Sequence, residues 1–112
     1  MAINQVERHR LGRLGESIAN GIINGKLTNH KHPIDIKKRK ILWEVKTISA
    51  NSKNHCIHIS HNSLRRKLAI ANKRNHQLRL MIIVVFETGE FEVYTGDIRQ
   101  HCRPHQLGKM EV

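Results

Sequence analysis

Aromatic side chains are scarce in this sequence: one tryptophan, one tyrosine and two phenylalanines among 112 residues. Any core the chain builds is therefore aliphatic and, with 38% apolar residues, modest in size. Cysteine is nearly absent too. Cys56 and Cys102 are too few for a disulfide scaffold and point to a reducing, cytoplasmic setting. No apolar run approaches the ~20 residues that span a bilayer. The N-terminus, MAINQVERHRLGRLG, carries charges where a signal peptide needs its apolar stretch. Internal repeats, low-complexity tracts and Pro/Ser-rich linkers are missing, so residues 1–112 read as a single domain.

Acidic residues are also in short supply. Nine Asp and Glu face 20 Lys and Arg, a net charge of +11, with nine histidines besides. Such an imbalance favours a polyanionic partner, because each phosphate neutralised releases condensed counterions. A basic surface also serves solubility alone, but in so short a chain the excess is the footprint of a nucleic-acid binder. A membrane surface fits less well. The cations do not collect on one amphipathic helix with an aromatic face.

The apolar spacing predicts a helix over 5–24, with Leu11, Leu14, Ile18 and Ile22 in one stripe and Asn24-Gly25 as its stop. Gly12, Gly15 and Ala19 would let another element approach closely beside Glu16. Short strands are expected at 27–32 and 34–36, then an exposed basic turn over 37–40 and a strand over 41–48. After a loop at 50–55, 56-CIHIS-60 alternates like a short edge strand. A second helix over 63–75, capped by Asn62 or Ser63, would turn Leu64, Leu68 and Ala71 inward. Arg65, Arg66, Lys67, Lys73 and Arg74 would then face out. The β-branched run 78-LRLMIIVVF-86 reads as the central strand, and 91–95 as its hairpin partner. Residues 99–112 lack periodicity and read as a loosely packed or assembly tail. The whole is an α/β domain with a short mixed sheet flanked by helices.

Chemistry concentrates in 41-ILWEVKTIS-49, an apolar strand that carries an acid and a base. Alternation sets Glu44 and Lys46 on one face with Leu42 and Ile48, and Trp43 and Val45 on the other. Their Cα atoms then lie about 6.5–7 Å apart, close enough to serve one site. A hairpin between 34–36 and this strand would bring Asp35 beside Glu44, and two carboxylates so placed repel unless a cation lies between them. Hard oxygen donors suit Mg²⁺, with Mn²⁺ as a substitute. The Val45 carbonyl is a further candidate ligand and Glu16 an auxiliary acid. Such a cation polarises a phosphodiester and activates water, and Lys46 would stabilise the charge that develops. Lys37, Lys38, Arg39, Lys53, Arg65, Arg66 and Lys67 are the candidate contacts to the rest of the polymer.

Pro33-Ile34-Asp35, eight residues, and then Glu44-Val45-Lys46 resemble the PD-(D/E)xK nuclease motif, with Ile34 inserted between the proline and the acid. The order Glu16, Asp35, Glu44, Lys46 is similar to archaeal Holliday-junction resolvases, and to short nuclease-like domains of some phage head proteins. The resemblance spans roughly residues 11–48. It implies a restriction-endonuclease-like core and Mg²⁺-dependent cleavage of DNA. A chain this short covers little DNA alone, so a homodimer is expected. The bland reading makes Glu44 and Lys46 a salt-bridged pair on the solvated face of an edge strand. The competing function is a non-catalytic nucleic-acid-binding or phage assembly module.

Zinc is a third possibility. His55-Cys56-x-His58-x-x-His61 and His101-Cys102-x-x-His105 contain suitable ligand types but lack paired C-x2-C or H-x3-H spacing. Their alternation would allow a crossed site of Cys56 and His58 with Cys102 and His105. His61-Asn62 has no recognisable histidine partner for a histidine-metal nuclease.

Overall fold

A computed structural model describes residues 5–23, 26–27, 36–38, 40–50 and 56–111, with the backbone alone at 5–8, 26–27 and 36–38. Helix α1 (Gln5–Ile23) is followed by β1 (Lys26–Leu27), β2 (Ile36–Lys38), β3 (Ile41–Ser49) and β4 (Ile57–His58). Then come α2 (His61–Lys73), β5 (Gln77–Val85), β6 (Phe91–Asp97), β7 (His101–Cys102), a 3₁₀ turn at Pro104–Gln106 and β8 (Gly108–Met110). Six strands form one mixed sheet in the order β1-β2-β3-β5-β6-β8, and β4 pairs with β7 in a separate ribbon. The expected α/β architecture, a small mixed sheet flanked by two helices, is the one observed. No described helix is long and apolar enough to cross a membrane.

The sheet is mixed because α2 carries the chain from β3 over to a parallel neighbour. Ile41 lies beside Gln77 and Ser49 beside Val85 in a parallel ladder, and among the described residues the other ladders of the sheet are antiparallel. This central pair is covered on both faces, as the continuous apolar run of β5 demands. Ala19 of α1 packs with Trp43, Val45, Met81, Ile83 and Val93 on one face. On the other, Ala71 of α2 meets Leu42 and Leu78, and Leu80, Ile82 and Val84 meet Ile57, Ile59, Cys102 and Leu107.

Gly15 is what lets α1 lie close to β3. A Cβ there would overlap Thr47 Oγ1 and fall 2.7 Å from Thr47 Cβ. Gly12 is different, with open space around it, so only part of the small-residue stripe is used in packing. Overpacking costs about 1–3 kcal/mol, whereas Gly to Ala in a helix gains only about 1 kcal/mol. In urea melts, Gly15→Ala should therefore destabilise and Gly12→Ala should stabilise. Adding Thr47→Ala to the first variant should restore part of the loss.

Four expectations need correction. The basic stretch after residue 36 is not all turn: Lys37 and Lys38 belong to β2 and pair with Leu42 and Ile41. Helix α2 begins earlier than expected, because Ser60 is its cap, with Oγ accepting from Ser63 N at 3.2 Å. It also ends earlier. Asn75 takes a left-handed φ of 56°, and His76 N donates to Ala71 O while Asn75 N donates to Asn72 O, a Schellman closure with asparagine in glycine's place. Finally, the described part of the expected loose tail, residues 99–111, is packed. β8 pairs with β6, and Cys102 and Leu107 are buried.

Candidate active site

β3 is an interior strand, between β2 and β5, paired with β5 along its whole length and, among the described residues, with β2 over Ile41–Trp43. The faces divide as the alternation predicts: Trp43 and Val45 join the α1 side, and Leu42 joins the α2 side. Glu44 and Lys46 therefore project under α2. Glu44 is only 4% exposed. The solvated edge-strand version of a Glu44–Lys46 pair is thereby removed, since this carboxylate is buried on an interior strand.

Two ammonium groups flank that carboxylate. Lys46 Nζ lies 3.6 Å from Oε1, and Lys67 Nζ lies 3.0 Å from Oε2. Lys46 keeps contact with solvent, whereas Lys67 is as buried as the acid it meets. Burying an ammonium is costly unless a charged partner and further polar contacts replace its hydration. Glu44 supplies that partner, and both residues make additional interactions.

Lys67 departs from the helix pattern. The apolar pattern predicts it on the outer face of α2 beside Arg65 and Arg66, yet it is 6% exposed and points inward, while Leu68 is 39% exposed. Leu64 and Ala71 define the inner line of the helix, and positions 67 and 68 flank that line on either side. Apolarity alone chooses Leu68. The structure turns α2 the other way because Glu44 beneath it offers a charge to Lys67 and none to leucine.

Arg65 and Arg66 are exposed as expected. Asp35, Arg39 and Lys53 lie outside the described residues, as do the side chains of Lys37 and Lys38. Ile36 pairs with Trp43, which is the hairpin expected to bring the preceding acid toward Glu44. Glu16 is half-buried on α1, next to the Gly15 contact with Thr47. It approaches β3 from the side of the sheet opposite Glu44.

No protein-family model matches the chain, and neither a curated protein nor a solved structure does. The functional reading rests on the chain's own chemistry.

The crossed zinc set is not assembled. Cys102 is buried in the aliphatic cluster, where burial pushes its thiol above the usual range. His58 faces solvent and stands opposite His101. Among the described residues no cluster of three His, Cys, Asp or Glu is positioned to hold a metal ion.

Proposed function

We propose that this chain is a small Mg²⁺-dependent endodeoxyribonuclease with a restriction-endonuclease-like core. The observation that carries the reading is Glu44, buried on an interior strand and gripped by Lys46 and Lys67. The element order helix, three sheet strands, a short ribbon strand, helix, parallel strand supports the resemblance in its motif residues. The reading requires the β2–β3 ladder to continue one residue beyond Ile36 and Trp43, so that Asp35 meets Glu44.

The donor set suits a hard divalent cation: the Glu44 carboxylate on a rigid strand, the Val45 carbonyl beside it and Asp35. When bound, such a cation supplies Lewis acidity at the phosphoryl group. The remaining work falls to the lysines. Lys46, with its ammonium at the solvent boundary, meets the reacting phosphate and offsets the charge that grows there. Lys67 acts through Glu44 by fixing its carboxylate in one orientation. Arg65 and Arg66, on the exposed side of the same helix, contact flanking phosphates and contribute affinity rather than sequence choice. A second copy of the chain extends the DNA footprint and permits paired cuts.

A second reading has its own support. A buried Lys–Glu pair at 3.0 Å also satisfies itself as a structural element, leaving a non-catalytic nucleic-acid-binding or phage assembly module on the same fold. Branched, linear and single-stranded DNA incubated with Mg²⁺, Mn²⁺ or EDTA separates the two. Metal-dependent cleavage of any substrate supports the enzyme. Salt-sensitive binding with no cleavage of any of them sinks it and leaves the module.

A further inference from the structure

The β4–β7 ribbon lies against the sheet face that α2 covers, packed on Leu80, Ile82 and Val84. Its buried positions, Ile57 and Cys102, face the core; its outward positions are His58 and His101. Ile59 N donates to Gln100 O at 2.8 Å, which makes 59/100 a hydrogen-bonded step of the antiparallel pair. The next step, His58 opposite His101, is then non-hydrogen-bonded, the position where facing side chains stand closest. The result is two exposed imidazoles with Nδ1 atoms 3.0 Å apart and ring centroids 4.5 Å apart.

We propose that His58 and His101 form a two-point chelate for a divalent transition cation of the nickel, copper and zinc group. Imidazole nitrogen is the preferred donor for these ions, and metal–nitrogen bonds run about 2.0–2.1 Å. Two nitrogens 3.0 Å apart at that bond length subtend about 90° at the metal. That is the cis angle of square-planar and octahedral centres, so the spacing suits Cu²⁺ and Ni²⁺, and Zn²⁺ after the nitrogens move apart; the rings, tilted by 43°, turn to aim both nitrogens at the ion. Water fills the remaining positions. The backbone pairing, not a flexible loop, presets the spacing, so the ion ties the segment leading into α2 to the segment leading into β8. This site takes a nitrogen-preferring ion, and its existence is independent of the nuclease reading.

The test is a titration of the full chain with Ni²⁺ and, separately, Cu²⁺, at a pH where imidazole is neutral. Wild-type protein should take up one equivalent in a distinct micromolar step and melt at a higher temperature once loaded. His58→Asn and His101→Asn should each weaken that step about 10-fold or more and abolish the thermal shift. Both side chains are exposed, so both variants should melt normally in EDTA. The copper spectrum of the wild type should show two imidazole nitrogens, which reads the site without any variant. Absence of the step, or a step unchanged by either substitution, would show that the two rings are joined only by an imidazole–imidazole hydrogen bond.

Discussion

Glu44→Gln is expected to lower Mg²⁺-dependent DNA cleavage by about 10³-fold or more, the scale on which losing a preorganised charged group acts. Glutamine keeps the shape and one oxygen but removes the charge that faces both lysines. Lys46→Ala should cost about 10²–10³-fold, since its ammonium is assigned to charge that grows in the transition state. Lys67→Met should cost only about 10–100-fold, as expected of a residue that orients a ligand. The three variants also differ in kind. Lys67 substitutions should raise the Mg²⁺ concentration needed for half-maximal rate and leave the apparent affinity for DNA unchanged, and Lys67→Arg should recover part of the rate. Single-turnover cleavage across a Mg²⁺ series measures all of this. Undiminished cleavage by folded Glu44→Gln would remove the carboxylate from the mechanism.

The second large effect is on stability, and it is asymmetric. Glu44→Ala removes the carboxylate between Lys46 and Lys67 and leaves a buried ammonium facing a like charge. Breaking a buried pair in this way costs about 3–5 kcal/mol. Lys67→Met replaces the buried ammonium with an apolar chain of similar length, while Lys46 still stands 3.6 Å from the acid. Its cost should be well below that of Glu44→Ala. The double variant Glu44→Gln, Lys67→Met should approach wild-type stability or exceed it, because well-packed neutral replacements of buried pairs are often neutral or stabilising. Urea denaturation of wild type, Glu44→Gln, Lys67→Met and the double variant gives the cycle, with Glu44→Ala as the separate measure of the broken pair. If Lys67→Met proves the more damaging single change, the acid rather than the lysine bears the burial cost.

Much of this arrangement can be read from the chain itself, because strand alternation is a strict period. Knowing that Trp43 and Val45 face one way is enough to place Glu44 and Lys46 together on the other. The long apolar run of β5 likewise announces a strand covered on both faces. What could not be read is set by tertiary choice. Leu68 and Lys67 compete for one inner position of α2, and only the acid on a different element decides between them. The ends of α2 depend on Ser60 and Asn75, whose roles come from backbone geometry rather than side-chain pattern. The C-terminal strands are too short for periodicity to register. Leu107 and Cys102 reveal their burial only once the sheet beneath them exists.

The parallel ladder between β3 and β5 has a consequence for how the protein is made. Every contact in it joins residues far apart along the chain, so a large loop must close before the first pair is rewarded. Helix α1 and the β2–β3 hairpin involve nearer neighbours and are free to form earlier. Glu44 acquires Lys67 only when α2 docks and the crossover closes. Half-folded chains on the ribosome therefore display a helix and a hairpin, and the charge cluster assembles only when the crossover closes.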